Sequence, residues 1–89
     1  MIKNSVTISN KLGLHARASA KLTKIAGSSA CEVWMTRDDR RINAKSIMGV
    51  MMLAAGLGSV VEIETSGPDE QATMDALLAL IHDKFGEGE

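Results

Sequence analysis

The sequence is poor in aromatic residues and in cysteine. It has no tyrosine, one phenylalanine, one tryptophan and one cysteine among 89 residues. Its charge is nearly balanced, with 10 basic and 11 acidic side chains. We therefore expect no nucleic-acid partner, because such binding favours basic patches interleaved with stacking aromatics. The single cysteine, Cys31, excludes an intrachain disulfide and is expected to be a buried apolar residue in a reduced, cytoplasmic protein.

From the sequence we expect neither a membrane span nor a signal peptide, and no metal-binding motif is visible. Its longest mainly apolar run, residues 47–57, covers 11 residues, whereas a helical span needs about 20. The first residues have no apolar signal-peptide core. Two distant histidines, His15 and His82, and one cysteine form no ligand cluster, and no nucleotide-binding glycine motif is present. We expect a single domain over residues 1–89, with no membrane insertion, no metal and no cofactor.

Hydrophobic periodicity predicts an α/β (α+β) chain with the element order βαββαβα. Alternating apolar residues predict strands, and apolar residues spaced three and four apart predict helices. Strands are expected at residues 2–8, 31–36 and 61–64, with a further short strand that follows a turn at residues 37–40 and runs through Ile42. Helices are expected from Ala16 to Ala26, from Ser46 to near Gly56, and from about residue 68 to Phe85.

Capping residues predict where the helices begin and end. Gly27 suits the left-handed position after the first helix, and Ser46 suits the N-cap of the second. Pro68 is expected early in the third helix, whose first turn is acidic. The apolar stripe of that helix is expected to consist of Met74, Leu77, Leu78, Ile81 and Phe85, with His82 a solvated surface residue.

The segment Gly13-Leu14-His15-Ala16-Arg17 places a histidine where a loop becomes a helix. Helix N-termini carry unpaired N–H groups and a partial positive charge, which disfavours a cationic imidazole and favours anions. A neutral imidazole can act as a nucleophile, and a phosphoryl group on it would lie near N–H donors and a guanidinium. These residues alone leave a turn or capping role for His15 open.

This motif, read with Lys45-Ser46-Ile47-Met48-Gly49, resembles the HPr family, the phosphocarrier proteins of the bacterial phosphoenolpyruvate-dependent phosphotransferase system. The resemblance spans essentially the whole chain. It implies an open-faced sandwich, in which a four-stranded antiparallel sheet carries three helices on one face. The family commonly has proline after the arginine, where this chain has Ala18. Because alanine is a good helix former, we expect the fold and chemistry to be unaffected.

The resemblance also implies a function. The Nδ1 atom of His15 would accept a phosphoryl group from phosphorylated enzyme I and pass it to enzyme IIA proteins, in sugar uptake or nitrogen-type regulation. Arg17 would balance the phosphoryl charge, and the backbone N–H groups of Ala16 and Arg17 would bind its oxygens. The protein would be a monomeric covalent phosphocarrier rather than a stand-alone enzyme. The alternative is a regulatory interaction module, switched by phosphorylation of His15 or Ser46 without onward transfer.

The second helix is apolar on every side. A short helix in a small domain cannot bury its whole circumference, so some of its methionines are expected at the surface, where flexible Met suits varied partners. We therefore predict a docking patch formed by Ile47, Met48, Met51 and Met52. The alternative is that the methionines all fill the core. The resemblance further implies that Ser46 is phosphorylated in some members by a regulatory kinase, the HPr kinase/phosphorylase.

Overall fold

The computed structural model describes residues 1–89 and confirms the predicted order βαββαβα. The strands and helices are β1 (Ile2–Thr7), α1 (Ala16–Ser28), β2 (Glu32–Arg37), β3 (Arg40–Asn43), α2 (Ile47–Met52), β4 (Val60–Ser66) and α3 (Glu70–His82). A short 3₁₀ turn, Lys84–Gly86, follows α3.

The four strands form one antiparallel sheet in the order β1-β4-β2-β3. Buried and exposed side chains alternate along the strands, so one face of the sheet is apolar and the other is polar. On the central strands, Met35 and Ile63 pair with each other and are fully buried, whereas Glu62 on the opposite face is exposed. The three helices cover the buried face, so the predicted open-faced sandwich is confirmed.

Side chains from the sheet and the helices meet in one core of 19 buried apolar residues. Leu22 of α1, Val50 of α2 and Leu77 of α3 are all fully buried there. Cys31 is buried as predicted, at 1% exposed. None of the helices has the length and apolar character that crossing a membrane requires.

Four predicted helix boundaries are wrong: the ends of α1 and α2, and both ends of α3. Gly27 lies inside α1, which continues to Ser28, because Ser29 ends the helix in an extended conformation with its N–H and its hydroxyl both bonded to the Ala26 carbonyl. The second helix ends at Met52 rather than near Gly56, and Ala54 takes a left-handed conformation with φ of 52°. This reversal lets the chain bury Leu53 and Ala55.

The third helix is shorter than predicted at both ends. Pro68 precedes its N-cap residue, Asp69, rather than lying in the first turn. The Asp69 carboxylate instead joins α3 to the start of β2, accepting hydrogen bonds of 2.9 Å from the N–H groups of Ala30 and Cys31. Phe85 is buried as predicted, but it lies beyond the helix in the 3₁₀ turn with φ of 57°.

Candidate functional site

His15 is the N-cap residue of α1. Its backbone is extended (φ −74°, ψ 179°), and its carbonyl accepts the first helical hydrogen bond, from Ser19 N–H, at 2.8 Å. The imidazole makes no capping hydrogen bond to the helix, and the side chain is 26% exposed. The helix therefore fixes the His15 backbone without using the ring as a cap.

The loop before His15 is held by a buried side chain and a close backbone contact. The Asn10 amide is fully buried and donates to the Gly13 carbonyl at 2.8 Å. Leu14 N–H donates to the Ala55 carbonyl at 2.9 Å, which joins this loop to the segment after α2. Gly13 has φ of 64°, and a Cβ there would lie 2.5 Å from the Ala55 oxygen. Only glycine fits this position without a backbone shift.

Anion-binding groups follow His15 directly. The N–H groups of Ala16, Arg17 and Ala18 have no acceptor, because the carbonyls four residues earlier lie outside the helix and no other acceptor is in reach. Ala16 and Arg17 are exposed, whereas Ala18 is fully buried in the first turn. The Arg17 guanidinium forms no ion pair within the chain. It is available to an anion bound at this helix end.

A carboxylate that the sequence reasoning missed contacts the His15 ring. The Glu87 side chain, 72 positions further along the chain, places Oε2 in hydrogen-bond contact with Nε2 of His15. Its other oxygen accepts a 3.0 Å hydrogen bond from Nδ2 of Asn10. The Asn10 amide first, and the His15 ring second, lower the pKa of the Glu87 carboxyl below its ordinary value. Its negative charge lies beside the ring and is opposite in sign to the helix start and Arg17.

The segment that carries Glu87 is anchored against α1 and the loop before it. Phe85 is fully buried, and its carbonyl accepts a 2.6 Å hydrogen bond from Nζ of Lys21. The main-chain oxygen of Glu89 accepts a 2.8 Å bond from Lys11 N–H. Positive φ angles at Lys84, Phe85 and Gly86 turn this segment back over the start of α1. The alternation of glycine and glutamate after Phe85 was the only sequence signal that the helix does not continue.

These groups line one open cleft beside His15. Three cations (Lys11, Arg17 and Lys21) and two carboxylates (Glu87 and Glu89) surround it. With the free N–H groups of α1, the surroundings suit a small anion held next to a nucleophilic ring nitrogen. His82 is exposed and is not among these residues.

The predicted patch on α2 is exposed. Met48 is 66% exposed and Met52 58%, with Ile47 and Met51 close to 40%. The alternative that the methionines all fill the core is therefore wrong; Val50 and Leu53 bury the other side of this segment. Ser46 is exposed and caps α2, with its Oγ accepting a 3.1 Å hydrogen bond from Gly49 N–H.

Comparison with known proteins identifies relatives along the whole chain. Residues 2–83 match the family model described as the PTS HPr component phosphorylation site. The chain is 66% identical over 89 residues to the phosphocarrier protein HPr of Cupriavidus necator, covering all of both sequences. A crystal structure of HPr from Thermoanaerobacter tengcongensis is 41% identical, with a TM-score of 0.95 over 98% of each chain. A crystal structure of an HPr dimer from the same organism matches with a TM-score of 0.79 at 41% identity, over 98% of this chain and 100% of that one.

Proposed function

Because the chain belongs to the HPr family, the phosphocarrier component of the bacterial phosphotransferase system, we propose that His15 is its phosphoryl acceptor. His15 takes the group from phosphorylated enzyme I and gives it to enzyme IIA proteins. The observation that carries this proposal is the partly exposed imidazole at the start of α1, next to unpaired N–H groups and a free guanidinium.

The transfer needs positioning and charge stabilisation more than acid–base chemistry. The lone pair of a ring nitrogen, Nδ1 by the family resemblance, attacks phosphorus, and the bond between phosphorus and the donor breaks. The N–H groups of Ala16 and Arg17 are aimed at the phosphoryl oxygens, and the Arg17 side chain offsets their charge. No acceptor within the chain competes for these donors.

Partner recognition falls to the exposed apolar face of α2. This face adjoins the loop of His15, since Leu14 N–H bonds to Ala55 after the helix. Ile47, Met48, Met51 and Met52 offer flexible apolar side chains to enzyme I and enzyme IIA surfaces. A phosphoryl group on Ser46, added by a regulatory kinase, would place a dianion beside this face and obstruct docking. We infer that the carrier works as a cytoplasmic monomer.

Labelling with radioactive phosphoenolpyruvate and enzyme I tests the assignment. We expect one acid-labile phosphoryl group per chain, lost in His15→Ala and retained in His82→Ala, which removes the other histidine. Label that persists in the His15→Ala protein would refute the assignment. Addition of an enzyme IIA then separates a carrier from a regulatory module, because only a carrier gives up its label to it.

A further inference from the structure

The contact between Glu87 and the His15 ring has a chemical consequence for the reacting nitrogen. An ionised carboxylate is an acceptor only. The ring nitrogen that faces Glu87 is Nε2, so a hydrogen bond there requires the proton on Nε2. The lone pair of the neutral ring then lies on Nδ1.

We propose that Glu87 is the positioning residue of His15: its carboxylate holds the ring in the tautomer protonated at Nε2, and so keeps Nδ1 ready to attack phosphorus. The role in phosphoryl transfer rests on the proposed function, whereas the geometry rests on the contacts of Glu87.

The same contact helps through the transfer step. When the bond between Nδ1 and phosphorus forms, the ring becomes cationic, since the Nε2 proton stays in place. The Glu87 carboxylate lies against that proton and stabilises the charge, as second-shell carboxylates do for other histidines. When the group moves on, the Nδ1–phosphorus electron pair returns to the ring, which becomes neutral again. No proton has to move in either direction.

The carboxylate is held for this task from both sides. Asn10, fully buried, binds Glu87 Oε1 and also the Gly13 carbonyl in the loop of His15. The segment itself is anchored by buried Phe85 and by the bond from Lys21 to the Phe85 carbonyl. Glu87 is only 16% exposed. A mobile acidic tail would have none of these restraints.

An isosteric substitution reverses the hydrogen bond. In Glu87→Gln, Oε1 of the new amide keeps the bond from Asn10 Nδ2, because that donor needs an acceptor. The amide NH₂ then takes the place of Oε2 and faces His15 as a donor. A donor requires a lone pair on Nε2, which moves the ring proton to Nδ1 and leaves the nucleophilic position without a lone pair.

The test is ¹⁵N NMR of the histidine ring in the unphosphorylated protein, at a pH where the ring is neutral. We expect the Nε2–H tautomer of His15 in the wild type and the Nδ1–H tautomer as the main form in Glu87→Gln. Glu89→Gln, in the same cleft but hydrogen-bonded only through its main-chain oxygen, is the matched control and should resemble the wild type. The other charged groups of the cleft, Lys11, Arg17 and Lys21, are unchanged in both variants.

A kinetic measurement separates this inference from the proposed function. Phosphorylation of Glu87→Gln by enzyme I should have a kcat lower by at least about tenfold, with KM little changed because the α2 face is untouched. An unaltered tautomer in a normally labelled Glu87→Gln protein would overturn the inference and leave the function standing. If the tautomer depends on Glu87 but enzyme I does not label the wild-type protein, the positioning of the ring stands and the proposed function is wrong.

Discussion

Replacing Met48 by glutamate should weaken the binding of enzyme I while leaving the fold intact. Burying a whole methionine side chain contributes about 1.5–3 kcal/mol, and 66% of Met48 is still exposed in the free protein. A partner that covers the remainder therefore gains about 1–2 kcal/mol, which corresponds to roughly a 5- to 30-fold change in Kd. Glutamate removes that gain and adds the cost of desolvating an unpaired carboxylate.

Stability should barely change, because an exposed side chain contributes little to the core. Surface substitutions of this kind usually stay within about 0.5 kcal/mol. Ala76→Glu, at an exposed position of α3, is the matched control for the added charge and should bind enzyme I normally. Met74→Ala is the opposite case: Met74 is fully buried, so its loss should cost about 2–5 kcal/mol of stability without changing the affinity of the folded protein.

The assay combines calorimetric titration with enzyme I and thermal unfolding of the same samples. A Met48→Glu protein that binds as tightly as wild type would refute the docking role of α2. A protein that unfolds at a much lower temperature would show that Met48 belongs to the core, against its exposure in the structure.

Two further outcomes concern the N-cap residues Ser46 of α2 and Asp69 of α3. Ser46→Asp should keep the α2 cap and change stability by less than about 1 kcal/mol, yet accept phosphoryl groups from enzyme I more slowly; phosphotransfer rates and unfolding scans check this, and a wild-type rate would contradict it. The hydrogen bond from the Ala30 N–H to the Asp69 carboxylate is the main reason that the pKa of this carboxyl lies below its ordinary value of 3.8. The stabilisation of the fold by Asp69 is therefore complete at pH values above this ordinary pKa. It is lost as the pH falls through the lower pKa that the carboxyl has in the folded protein. As the pH is lowered from 6, the urea midpoint of unfolding should fall less steeply in Asp69→Asn than in the control Asp75→Asn. Equal slopes would refute the reasoning.

Short local patterns in the sequence predicted much of this fold. Val61 and Ile63 alternate with Glu62 and Glu64, and β4 places the first pair in the core with Glu62 exposed on the opposite face. Ser46 was predicted as an N-cap from its residue type and position alone, and its hydroxyl makes the capping bond. Such features depend on neighbours in sequence, where side-chain chemistry and backbone preference act together.

Helix ends depended on hydrogen bonds and burial more than on the residue type at a single position. Gly27 is a favourable terminator, yet α1 continues past it because the Ser29 N–H and hydroxyl satisfy the last turn. Ala54 adopts φ of 52°, which is costly for alanine, because stopping there buries Leu53 and Ala55. Tertiary packing overrides local preference at Ala54.

The carboxylate at the site could not be predicted, because nothing near His15 in sequence points to Glu87. Their contact requires the chain after α3 to turn back through three consecutive residues with positive φ, two of them non-glycine. Left-handed Lys84 and Phe85 are unfavourable locally, and the burial of Phe85 opposes that cost. Only the folded core determines where this segment ends up.

A carrier must bind its phosphoryl group without retaining it. The cleft suits this need because groups of opposite charge lie beside the imidazole. Nε2 faces a carboxylate fixed by Asn10, whereas the helix start offers unpaired N–H groups and an exposed guanidinium rather than a buried clamp. An exposed Arg17 interacts with an anion through a well-screened field, so the interaction stays weak. Glu87 meanwhile adds negative charge to the cleft and stabilises the ring cation that forms when phosphorus is bound. On the proposed function, the cleft therefore stabilises a phosphorylated ring without a buried clamp that would retain the phosphoryl group.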